Sequence, residues 1–221
     1  MMMKVTPLNI GRSLVPLLML VVTIGCRHGP PLQKGPFRDP DLVNLSLVDP
    51  AIHLDIRYAG TSNFLGRVLY SEAKAMLQRP AAEALVRVNA VLRPEGYGLL
   101  VTDAYRPWRV TKEMWDSVSR EDREAGFVAN PKRGSKHNRG CAVDVTLYSL
   151  DTGMEVEMPS EVDEFSERAH VDYAGGSLEA TARRELLRRV MEAEGFAVYE
   201  NEWWHFDYKD WQEYRVMDVE F

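Results

Sequence analysis

Between residues 51 and 58 the chain alternates, with Ile52, Leu54 and Ile56 on one side and His53, Asp55 and Arg57 on the other. That two-residue period predicts a half-buried strand. The period then lengthens: Pro80 stands at a first helical position, and Leu85, Val88, Val91 and Leu92 recur at helical spacing until Pro94 and Gly96 end the run. Residues 97–102 are mostly apolar and predict a buried strand. It delivers Asp103-Ala104-Tyr105-Arg106-Pro107 to its end, where the proline breaks regularity and a second helix follows from Trp108. Residues 121–135 are polar, are punctuated by Gly126, Pro131 and Gly134, and read as a loop leading into an apolar strand over 141–147. Ser177 caps a third helix whose Leu186, Leu187, Val190 and Met191 face inward, with Gly195 past its last turn. Two short strands, at 196–199 and 203–208, complete the pattern.

This order of elements predicts an α+β fold, with a mainly antiparallel sheet flanked by helices. A length of 221 residues at 45% hydrophobic composition supports one core and is short for two, so a single domain is expected. The N-terminus stands apart from it. Lys4 and Arg12 precede an apolar stretch at 14–24 that closes in Gly25 and Cys26, the pattern of an export signal over residues 1–25. At about ten residues the stretch falls short of the ~20 needed to span a bilayer. Thr23-Ile24-Gly25-Cys26 resembles a bacterial lipoprotein processing site, with Thr where Leu is usual. Cys26 is then either a lipid anchor or a small residue beside an ordinary cleavage point. Either reading places the protein outside the cytoplasm, in the periplasm or anchored to a membrane. Residues 26–41, rich in proline and glycine, read as a tether, which leaves 42–221 as the folded domain.

Charge and cysteine content narrow the chemistry. The formal charge of −6 becomes more negative once Lys4 and Arg12 are removed, which argues against nucleic acid as a partner. With Cys26 at the processing point, Cys141 remains alone, so an intramolecular disulfide and a cysteine-based metal site are both excluded; Cys141 reads as packing. The segment Ser135-Lys136-His137-Asn138-Arg139-Gly140-Cys141-Ala142-Val143-Asp144 places an imidazole and a carboxylate seven residues apart, with a glycine between them that lets the chain turn. If Val143 and Val145 face the core, Asp144 faces a cleft. Glu202-Trp203-Trp204-His205 supplies a second imidazole with a carboxylate three residues earlier. Catalytic zinc commonly keeps three protein ligands and an open position, and His137, Asp144 and His205 meet that count, one zinc per chain in a cleft on the sheet. Glu202 is the candidate general base, with Glu200 as its rival, and Arg106 is the candidate stabiliser of an oxyanion. A lone histidine is usually a packed or surface residue; here it is the combination that points to a site. His28, in the tether, and His53, turned outward, carry no role, and His170 is unassigned.

Ser135-x-His137-x-x-Gly140-x-Ala142-x-Asp144 with Glu202-x-Trp204-His205 resembles the zinc metallopeptidases that include the D,D-carboxypeptidases. Several further segments make the resemblance more specific: Arg57-Tyr58-Ala59 with Asn63-Phe64-x-Gly66, Asp103-x-Tyr105-Arg106-Pro107, Asp163-x-x-x-Glu167-Arg168, and the doubled Trp203-Trp204. Together they are similar to the zinc D-alanyl-D-alanine dipeptidases. The resemblance implies zinc on His137, Asp144 and His205, Glu202 as base and Arg106 as transition-state stabiliser. It also implies that Tyr58, Ser135 and Asp163 hold the ammonium end of a small D-amino-acid dipeptide in a small closed pocket. The expected activity is hydrolysis of D-alanyl-D-alanine to D-alanine in cell-wall turnover. A D,D- or L,D-carboxypeptidase acting on peptidoglycan stems is the alternative, and a catalytically silent wall-binding module is the reading from outside the enzymes.

Overall fold

The structure, a computed structural model, describes residues 29–221. The expected export signal and Cys26 lie outside the described residues. Residues 29–41 contain no helix or strand, and β1 (Leu42–Asn44) begins directly after them.

A five-stranded sheet runs in the order β2 (His53–Leu54), β4 (Tyr97–Asp103), β5 (Ala142–Ser149), β7 (Glu202–Tyr208), β6 (Phe196–Tyr199). Neighbours are antiparallel except β2, which pairs parallel to β4. The expected α+β domain with a mainly antiparallel sheet is therefore what the chain forms. A second, two-stranded sheet, β1 against β3 (Met76–Gln78), was not foreseen. The strand expected over 51–58 pairs for only two residues before the chain turns at Arg57–Ala59. Its alternation nonetheless holds in burial, since Ile52 and Ile56 are buried and His53 is exposed.

Helix α1 (Leu45–Val48) is a single turn capped by Asn44, and α2 (Arg79–Leu92) carries proline in its first turn, where a missing N–H costs nothing. Its core face is Ala81, Ala82, Ala84, Leu85, Val88, Asn89 and Leu92. Val91, one of the positions in the expected stripe, is 50% exposed, because it falls beside the buried face, about 100° round the helix from Leu92. Helix α3 (Trp108–Ser117) follows Pro107 as expected. The polar stretch after it is not all loop: Ser119 accepts a hydrogen bond from Asp122 N–H and caps α4 (Arg120–Ala125), which Gly126 closes at φ +87°. Helix α5 (Leu178–Ala193) starts at the expected cap, Ser177, and buries Leu187, Val190 and Met191. The core lies between α2, α5 and the inner face of the sheet, where Leu99, Val101, Val143, Val145, Leu147 and Phe206 are inaccessible to solvent.

Candidate active site

The register of three neighbouring strands builds the site. Asp103 on β4 stands opposite Asp144 on β5, and Asp144 stands opposite His205 on β7, so one row across the sheet carries two carboxylates and an imidazole. Asp144 is flanked in sequence by the fully buried Val143 and Val145 and projects from the opposite face, as the two-residue period requires. His137 reaches the row from a tight turn, His137–Arg139, just before β5. Gly140 closes that turn at φ +67°, and a Cβ there would lie 2.5 Å from a Leu42 methyl. Both facts demand glycine.

The ligand atoms of His137, Asp144 and His205 all lie within 4.8 Å of one another. His137 Nδ1 contacts the Ala104 carbonyl at 2.6 Å, and His205 Nε2 contacts Asp207 Oδ1 at 2.9 Å. These outer contacts fix both rings, so His137 Nε2 and His205 Nδ1 face each other at 3.1 Å, with Asp144 Oδ1 at 3.0 Å from the latter. Two imidazole nitrogens and a carboxylate that converge in this way need a proton or a metal ion among them, since bare lone pairs would repel. Two nitrogens bound at ~2.0–2.1 Å in tetrahedral zinc stand roughly 3.3 Å apart, close to what these rings already show. Electrostatics agree. Burial raises the Asp144 pKa, but His137 and His205 overcome this and hold it well below the usual carboxylate range. Burial likewise disfavours a charged His205, yet Asp207 and Asp144 hold its pKa well above the ordinary imidazole value. The donor set fits a borderline-soft divalent ion such as zinc.

Around this centre, Glu202 Oε2 lies 3.8 Å from His205 Nδ1, near the ligands but outside their group. Burial pushes its carboxyl up to about 8, with Asp144 and Asp163 adding to the rise and His205 opposing it. Glu200, the rival base, is exposed and does not line the cavity. Arg106 is buried and forks onto Asp103 Oδ2 at 2.9 and 2.6 Å, and its Nη2 lies 3.6 Å from Asp144 Oδ2. Tyr70 donates to the other Asp103 oxygen at 2.7 Å. Tyr58 donates to Asp163 Oδ2 at 2.9 Å, and the Arg106 guanidinium stands 5.2 Å from the Tyr58 ring centre. Asp163 is the only non-glycine described residue with positive φ, +66°, a strained conformation of the sort that recurs where a side chain must be aimed. Burial, reinforced by Asp144, pushes its carboxyl up to about 6. Ser135 lines the same space, while its Oγ accepts the His137 N–H at 3.2 Å.

All eight residues singled out from sequence therefore line one cavity of about 550 Å³. Residues from Arg123 to Ser135 contribute much of its lining alongside the metal ligands. Trp203 and Trp204 are both buried in the core and neither lines the cavity. Trp203 Nε1 donates to Ser160 and so ties down the loop that carries Asp163. His53 stacks on Tyr148, away from the site. Cys141 is buried, and burial pushes its thiol up to about 12, in keeping with a packing role.

Sequence reasoning missed the supports. Asp207, two residues along the same face of β7 from His205, was readable from the strand period, and Asp103 stands three residues before Arg106 at the end of β4. Asn138 was not readable from spacing. It is fully buried, accepts from Ser135 N–H and donates to the Arg106 carbonyl and Thr111 Oγ1, which locks the His137 turn to the Arg106 turn and to α3.

Comparison with known proteins finds a family and several relatives to which the chain is similar. A family model described as D-ala-D-ala dipeptidase matches residues 38–220. The D-alanyl-D-alanine dipeptidase of Enterococcus faecium is 34% identical over 76% of this chain and 93% of its own length. That of Escherichia coli K12 is 29% identical over 82% of this chain and 91% of its own. Among solved structures, the LdcB LD-carboxypeptidase covers 78% of this chain and 69% of its own at 20% identity, with a TM-score of 0.46.

Proposed function

The chain belongs to the D-ala-D-ala dipeptidase family, and from that premise we propose that it hydrolyses D-alanyl-D-alanine, with a single zinc held by His137, Asp144 and His205. The observation that carries this reading is the convergence of that ligand group, Glu202, Arg106 and Asp163 on one cavity.

Zinc, when bound, polarises the scissile carbonyl and acidifies water. The protein's own residues do the rest. The Asp163 carboxylate, aimed by its backbone and by Tyr58, takes the ammonium end of the dipeptide, and Ser135 borders the same space. Glu202 accepts the proton of the attacking water as the new C–O bond forms, then donates it to the amine nitrogen as the C–N bond breaks. Its buried carboxyl suits both directions, because burial brings its proton affinity up toward neutrality. Arg106, immobilised by Asp103, offers its guanidinium to the oxyanion; a fixed donor costs no reorganisation when charge develops.

The exported location expected from residues 1–25 sets the source of substrate: dipeptides released outside the cytoplasm as peptidoglycan turns over. Cell fractionation checks this, since native protein found in the cytosol would remove that source. The activity itself is tested by incubating zinc-loaded protein with D-alanyl-D-alanine and, separately, with a pentapeptide stem ending in the same two residues. Release of D-alanine from the dipeptide alone is the expected result. Cleavage of the stem would make the protein a carboxypeptidase, and zinc binding without either activity would leave a binding module.

A further inference from the structure

The roles assigned so far account for the substrate's ammonium, its scissile carbonyl and the attacking water. A free dipeptide has one more charged group, its terminal carboxylate, and that group enters a site already crowded with Asp103, Asp144, Asp163, Glu202 and Asp207. Recognition there needs a cation that is not already engaged.

Besides Arg106, the cavity lining offers four. Lys136 is paired with Asp207 at 3.0 Å and lies over Trp211. Arg139 donates to the Tyr214 carbonyl and also lies against Trp211. Arg123 donates to the Trp115 carbonyl at 2.8 Å and covers that residue's ring. Arg133 differs: it lines the cavity, yet among the described residues its guanidinium has no hydrogen-bond acceptor, no carboxylate partner and no aromatic ring.

Its backbone, by contrast, is held from several directions. Asn130 accepts from Lys132 N–H through its side chain, and from Arg133 and Gly134 N–H through its carbonyl. Trp108 Nε1 donates to the Pro131 carbonyl at 2.8 Å. Gly134 takes φ +76° where a Cβ would stand 2.5 Å from Val216. Ser135 N–H is bound by Asn138, the residue that locks the His137 turn. A loop tied this tightly presents one free cation to the cavity at little ordering cost.

We propose that Arg133 binds the C-terminal carboxylate of the substrate, so that the cavity reads a zwitterion by its two ends, with Asp163 on the ammonium and Arg133 on the carboxylate. The planar guanidinium suits a carboxylate bidentately. This assignment rests on the dipeptidase reading and extends it: peptides blocked at the C-terminus lose the contact.

The test pairs D-alanyl-D-alanine with its C-terminal amide, and wild type with Arg133→Ala. Arg133 is exposed, so the variant is expected to fold and to retain zinc. For the free acid, KM rises about tenfold with kcat little changed, the size of one charge-assisted contact. For the amide, wild type and variant have the same KM, and Arg133→Lys recovers part of the loss for the acid. Equal loss on acid and amide, or no change on the acid, overturns the proposal. Calorimetric binding of both ligands to zinc-loaded Glu202→Gln protein, with and without Arg133→Ala, separates the two levels of the argument. If the wild type binds the dipeptide but does not cut it, the peptidase reading fails while the difference between acid and amide still reports on Arg133. If neither ligand binds, both fail.

Discussion

At His205 two carboxylates compete with burial and win, and the nitrogen that faces Asp144 is also the one a metal needs. Metal and proton are therefore alternatives at this residue. Because its pKa is held above the ordinary imidazole value, proton and zinc compete for this imidazole, and zinc binding displaces proton. The sign follows: zinc affinity rises with pH until that pKa is passed. Titration of zinc into metal-free protein in buffers of different ionisation enthalpy should show net proton release on binding. Proton release near zero would contradict the arrangement. The same residues mark the limit of what the sequence reveals about the site. His137, Asp144, His205, Glu202 and Arg106 are legible because their chemistry is specific and their neighbours form motifs. Asn138 is not, because its contacts reach residues 27 and 32 positions away and no local pattern encodes them.

Elements were legible where a periodic apolar stripe was long enough to repeat. Helix α2, strand β4 and helix α5 declare themselves through such stripes, and caps or glycines mark their ends. The stretch forming α4 has no buried residue and therefore no stripe to read, leaving only the Ser119 cap as a signal. Strands β1 and β3 are three residues each, too short for a period to show; their pairing is set by packing against the His137 turn, where Gln78 N–H donates to the Gly140 carbonyl. Within α2, burial rather than hydrophobicity decides what each side chain contributes. Leu85→Ala should cost about 2–5 kcal/mol of stability, as a fully buried leucine leaves a cavity. Val91→Ala, half exposed, should cost well under half of that. Urea unfolding of the two variants checks this, and equal losses would mean that the helix is seated with a different face inward.

At the scale of the whole molecule, the sheet serves as a frame that aligns charged groups contributed by distant parts of the chain. Three strands place Asp103, Asp144 and His205 in one row, and the turns at Arg106, His137 and Asp163 close over it. Fold class followed from the order of elements, but the registers that set this row did not, since pairing depends on partners far apart in sequence. The framework must hold metal independently of the base that uses it. Glu202 is the residue on which that separation turns, lying 3.8 Å from a ligand nitrogen yet outside the ligand group. The decisive measurement is zinc content and D-alanine release, taken together, for Glu202→Gln against wild type on D-alanyl-D-alanine. The expected result is unchanged zinc, near one ion per chain, with turnover reduced about 10²–10⁴-fold. Zinc lost along with activity, or activity retained, would contradict it.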